Sequence, residues 1–119
     1  MNEEFFKKVS NLQVSSATFE LIIIIEEYDR TGDIKHIHRA LDYVESSMRG
    51  TLVGSRHVSV DDVMKISRIK PLLYTLGIKQ QLIGAVACFM EGERGSASWC
   101  LEDFLEERST DSEDTFDEQ

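Results

Sequence analysis

A chain of 119 residues has room for one hydrophobic core and too little for two. Its 41% hydrophobic content excludes a wholly disordered chain, and a formal net charge of -9 argues against broad, non-specific attraction to nucleic acid or anionic lipid. The charge is unevenly spread. Residues 102–119 hold nine acids and one base, a balance of -8, which leaves residues 1–101 at -1. Within that body residues 49–79 carry six bases against two acids, or +4. The molecule therefore reads as an almost neutral body with a mildly basic middle and an acidic end.

In chain order, Asn2 is placed to cap a first short helix with Glu3 and Glu4 in its opening turn and Lys7 and Lys8 later, the order that suits a helix dipole. Phe5, Phe6 and Val9 would face inward. Ser15 and Ser16 precede a segment over 17–30 that Gly32 closes. Its centre, Leu21 followed by four isoleucines, favours a strand by β-branching. Fourteen residues between stop signals are long for a strand, and the smooth continuation through Glu26, Glu27 and Tyr28 favours a helix. Apolar on every side, it would be the central helix of a bundle.

Between Asp33 and Gly50 the residues Ile34, Ile37, Leu41, Val44 and Met48 recur at spacings of three and four, which predicts an amphipathic helix with one apolar seam. Residues 51–58 read as a loop or short strand. Ser59 with Asp62 resembles a capping box opening a helix over 60–69, in which Val63, Ile66 or Met64, and Ile69 point inward. Pro71 is expected to break the chain at Lys70 and to begin a new short helix over 71–76. Gly77 ends it. Residues 79–91 form a further apolar helix, interrupted by Gly84, which marks close helix contact. After a turn at 92–95, Ser98 would cap a helix over 99–108 with Trp99, Leu101, Phe104 and Leu105 as its apolar members.

Residues 109–119 contain five acids, no aliphatic residue and one aromatic, Phe116. They cannot bury enough to offset their ordering entropy and are expected to be a disordered tail. The fold expected is thus all-α: a single compact bundle of five or six helices over 1–108, followed by an acidic tail over 109–119.

The sequence carries little that resembles catalysis. His36 and His38, two apart on one helix, point to different faces, and His57 is alone, so no metal is expected. No phosphate-binding glycine loop is present and no cofactor is expected. Cys88 lies in an apolar run. Cys100, at the start of the expected last helix, gains from the helix N-terminus but loses from Glu102 and Asp103, so an enzyme built on Cys100 is a minor alternative. Two cysteines are no disulfide framework, and no apolar run approaches the ~18 residues of a membrane span. Both point to a soluble chain in a reducing compartment, cytoplasm or nucleus.

The functional expectation is accordingly a small non-enzymatic regulator that binds another protein as an adaptor, inhibitor or chaperone-like factor. Two contact groups are expected. One is an acidic-aromatic docking segment of Phe116 with Asp114, Asp117 and Glu118; the other is the basic set Arg56, Lys65, Arg68 and Lys70. The first alternative is a nucleic-acid-binding regulator that uses the basic segment 56–79, with residues 59–77 read as helix, turn and second helix. It is the weaker reading, because the second helix would present only Tyr74 and Thr75 to base edges. Pairing of apolar seams with a second copy is a further option.

Overall fold

The computed structural model describes the backbone of residues 3–54 and 60–117 and the side chains of residues 3–47 and 63–107. Among the described residues all regular structure is helical. The six helices are α1 (Glu3–Asn11), α2 (Ser16–Thr31), α3 (Lys35–Gly54), α4 (Val60–Thr75), α5 (Gln80–Met90) and α6 (Arg94–Asp117). The all-α expectation holds. The Asn2 cap, the Ser59–Asp62 capping box and the expected tail at 109–119 lie outside the described side chains.

Local chemistry explains most of the boundaries. Ser15 caps α2, its Oγ accepting the Thr18 N–H at 3.2 Å. Gly32, at φ 73°, closes it by donating its N–H to the Tyr28 carbonyl at 2.7 Å. Asp33 starts the next helix. Its Oδ1 accepts the Lys35 N–H at 3.1 Å, and that backbone donor holds the Asp33 carboxyl below its ordinary value. α4 and α5 both end in Schellman motifs. Gly77 and Ile78 donate to the carbonyls of Tyr74 and Leu73, and Gly92 and Glu93 to those of Phe89 and Cys88. Gly77 and Gly92 sit at φ 83° and 84°, a backbone state that glycine reaches without strain.

Four helices close a ring, α2 against α3, α3 against α6, α6 against α5, and α5 back against α2. Aromatic pairs cross this ring on both diagonals. Tyr28 of α2 meets Phe104 of α6 edge-on at 5.6 Å, and Tyr43 of α3 meets Phe89 of α5 at 6.1 Å. α2 contributes Leu21, Ile22, Ile24 and Ile25 to the core, so the isoleucine run is a bundle helix as expected. α4 packs on the flank of α5, and α1 on α4, with Phe6 of α1 reaching Phe19 of α2 at 5.9 Å.

Several boundaries differ from expectation, each for a physical reason. α3 continues past Gly50 to Gly54, so residues 51–54 are helical where a loop or short strand was expected. Its described seam is Ile37, Ala40 and Val44, with Ile34 and Leu41 only partly buried. α4 passes through Pro71 unbroken. Proline deprives the Ser67 carbonyl of its helical donor, and Ser67 lies on the exposed side of the helix, where solvent has access. Ile69 is buried as expected and Leu73 joins it; of the pair Ile66 or Met64 it is Ile66 that packs against the core, Met64 being 70% exposed, and Val63, expected inside, is 40% exposed. α6 starts at Arg94, five residues before the expected Trp99. Ala97, Leu101 and Phe104 form its buried stripe, and Trp99 points outward, 64% exposed.

The early start of α6 has a visible anchor. The Arg94 guanidinium lies over the Phe89 ring at 4.8 Å and donates to Ser47 Oγ at 2.6 Å, joining α3, α5 and α6. Nearby, Tyr43 donates its hydroxyl to the Ala17 carbonyl at 3.3 Å, and burial pushes its pKa up.

Candidate interaction surface

The four large hydrophobic side chains left exposed among the described residues are Val63, Met64, Tyr74 and Trp99. Three of them lie on α4. Met64, Arg68, Pro71 and Tyr74 follow one another at spacings of four, three and three, so they share one face of that helix, and all four are exposed. The opposite face supplies Ile69 and Leu73 to the core. This gives α4 an outer stripe of mixed character: a thioether, a proline ring and a phenol, with a guanidinium at its centre. The exposed Lys70 lies beside it.

Charge on this stripe is uncommitted. The ion pairs among the described residues join Arg30 to Glu26, Lys35 to Asp33 and Arg39 to Glu27, all on or beside α2 and α3. Arg68 and Lys70 take no part in them. Lys65 differs, because its ammonium donates to the Gln13 carbonyl at 2.8 Å and ties α4 to the end of α1. Of the four expected basic contact residues, Arg68 and Lys70 therefore stand open to a partner and Lys65 is engaged internally. Arg56 lies outside the described residues.

Of the expected acidic-aromatic set, Asp114, Phe116 and Asp117 fall on the backbone of α6 with side chains outside the described ones, and Glu118 lies outside altogether. A comparable grouping that the sequence reading missed lies earlier on α6. Trp99, Glu102 and Glu106 follow at spacings of three and four, and all three are exposed. The available signal was the spacing itself. Taking Trp99 for a core residue, as its size suggested, hid it.

The catalytic alternatives find no support in the geometry. His36 is buried, and its Nδ1 stands 2.8 Å from the Arg39 guanidinium, which also donates to Glu27 at 3.2 Å; His38 is exposed. The two histidines do face apart. Among the described residues no three His, Cys, Asp or Glu side chains gather into a metal-ligand group. Cys100 falls in the second turn of α6, beyond reach of the helix N-terminal N–H groups, because the helix starts at Arg94. Burial pushes its thiol up, and Asp103 adds to the effect. The joint that a helix-turn-helix needs at Lys70 and Pro71 is continuous helix.

Among the described residues no helix is long and apolar enough to cross a membrane. The chain matches no family model, no curated protein and no solved structure.

Proposed function

We propose that this chain is a small non-enzymatic regulator that binds another protein through the outer face of α4. The observation that carries the reading is a division of labour within one helix: its inner face completes the core, while Met64, Arg68, Pro71 and Tyr74 stand in solvent with no structural task. Tyrosine and arginine are the side chains that most often anchor interfaces, and exposed methionine adapts to irregular partner surfaces. Arg68 and Lys70, which take part in no ion pair among the described residues, favour a partner that brings carboxylates to the rim of an apolar contact. Trp99 with Glu102 and Glu106 offers a second contact of opposite sign. Two free cysteines fit an adaptor or inhibitor of a reducing compartment, cytoplasm or nucleus.

Affinity capture from a native extract tests this, using the full chain, the double variant Met64→Glu/Tyr74→Ala, and a chain lacking 109–119. A protein held by the full chain and lost by the double variant supports the reading. Loss on removing 109–119 alone would move the contact to the acidic end, and no protein retained by any form would sink the proposal.

The surviving case for nucleic acid rests on Arg68, Lys70 and Lys79, three exposed cations on and after α4. It requires a duplex or single-strand affinity that falls steeply with salt, and a salt-insensitive or absent shift removes it.

A further inference from the structure

The cysteines that stand twelve positions apart in sequence meet in the fold. α5 and α6 are joined by three residues and run antiparallel, side by side. Gly84 and Cys88 lie one turn apart on α5, and a methyl group built at Gly84 would stand 4.0 Å from Cys100 Sγ. Side chains on a helix lean toward its N-terminus. Cys88 therefore leans back along α5 toward the level of Gly84, and Cys100 leans along α6 toward the turn. The two thiols thus face each other across a helix contact that the missing side chain of Gly84 leaves open, near enough for each to affect the other's protonation. Both are free and only partly buried.

We propose that Cys88 and Cys100 are a reversible modification site, a dithiol that a low-molecular-weight disulfide converts to an intramolecular disulfide. In the first step the Cys100 thiolate attacks one sulfur of oxidised glutathione, forming a Cys100–glutathione disulfide and expelling one glutathione thiolate. The Cys88 thiolate then attacks Cys100 Sγ and expels the second. The two protein thiols lose two electrons and two protons, and the oxidant becomes two molecules of glutathione thiol.

The order of attack follows from the contact between the sulfurs. The neighbouring sulfur offsets part of the burial effect at Cys100 and adds to it at Cys88, so the thiolate forms more readily at Cys100. Burial pushes both thiols up, with Glu91 and Glu93 adding to the effect at Cys88 and Asp103 at Cys100. The pair therefore reacts slowly at neutral pH and faster at mildly alkaline pH.

The test uses the full chain in glutathione redox buffers at neutral and mildly alkaline pH, with alkylation of remaining thiols, intact mass and peptide mapping. The expected product is a monomer lacking two hydrogens, with the Cys88 and Cys100 peptides joined and the link reversed by dithiothreitol. Fluorescence of Trp99, the single tryptophan and the neighbour of Cys100, should change with the same dependence on redox poise. Cys88→Ser should stop at one glutathione on Cys100. Glutathione on both cysteines of the parent chain, disulfide-linked dimers alone, or no reaction until urea unfolds the chain would each overturn the proposal. The parent chain's mass decides the matter even if the serine variant does not fold.

Discussion

The helices α2 and α4 are both 16 residues long, yet they use their side chains in opposite ways. α2 buries Leu21, Ile22, Ile24, Ile25 and Tyr28, and its exposed residues are confined to Ser16, Glu20 and the last three, Asp29, Arg30 and Thr31. α4, among its described side chains, fully buries Ile69 and Leu73 and turns Met64, Arg68, Pro71 and Tyr74 outward. A helix enclosed by neighbours is held by its packing and has no surface to offer. A helix at the flank is packed on one side and can spend the other on a partner. The contrast separates the residues that make the bundle from those left for the contact proposed above.

The largest expected effect lies on α2. Ile22→Ala, at a position with no solvent exposure, should cost about 3 kcal/mol in urea unfolding, from lost burial and the cavity left behind. A loss under about 1 kcal/mol would mean that α2 is not the enclosed helix of the ring. On α4 the next effect has the opposite sign. Pro71→Ala restores a donor for the Ser67 carbonyl and should raise stability by about 2 kcal/mol, seen as a higher thermal midpoint. A lower midpoint would show that the proline, and not its helix, is what the flank needs.

Smaller still should be the stability effect of Met64→Ala and Tyr74→Ala, within about 0.5 kcal/mol of the parent chain. Their partner affinity should fall, by about thirtyfold for Tyr74→Ala if it is an interface anchor. A large stability loss at either position would merge the two classes of helix. The weakest expected signal is a pH dependence. The native state holds the protons of Cys88 and Cys100 more tightly than the unfolded chain, whose thiols titrate near 9.0. The unfolded state gives up those protons first, so this contribution is complete at neutral pH and is lost as pH rises through and above 9.0. Comparing urea midpoints of the parent and Cys88→Ala/Cys100→Ala chains across that range isolates it, and identical slopes would refute it.

Much of the fold was legible because its signals are local. Ser15, Gly32, Asp33 and Gly77 mark helix ends through their own backbone and side-chain chemistry, and the phenylalanines of α1 and the apolar run of α5 leave few choices of face. What escaped depends on neighbours. Pro71 costs a helix least where the residue it orphans faces solvent, and Ser67 is exposed. The first turn of α6 contains Gly95, Ser96 and Ser98, a loop-like composition, and is anchored by Arg94 reaching Ser47 and Phe89. Trp99 and Met64 look like core residues until the packed side of each helix is known. The thiol pair is the clearest case. A separation of twelve matches no local motif, and only the antiparallel hairpin with Gly84 at its contact brings the sulfurs together.

The bond from Lys65 to the Gln13 carbonyl spans 52 positions of sequence and ties α4 to the turn that follows α1, the other helix outside the ring. It makes α1 and α4 one mechanical layer. α2, α3, α5 and α6 close their ring without α1 and α4, so the outer pair is expected to open before the ring does, although both helices contribute to the same core. Amide hydrogen exchange should therefore find the protons of α1 and α4 exchanging together and ahead of those of α2 and α5. Breaking the Lys65 contact should lower the protection of α1 as much as that of α4. The helix that offers a surface to partners would then also be the one most easily released from the fold, so a ligand on its outer face would be read out as slower exchange in α1, a helix it never touches.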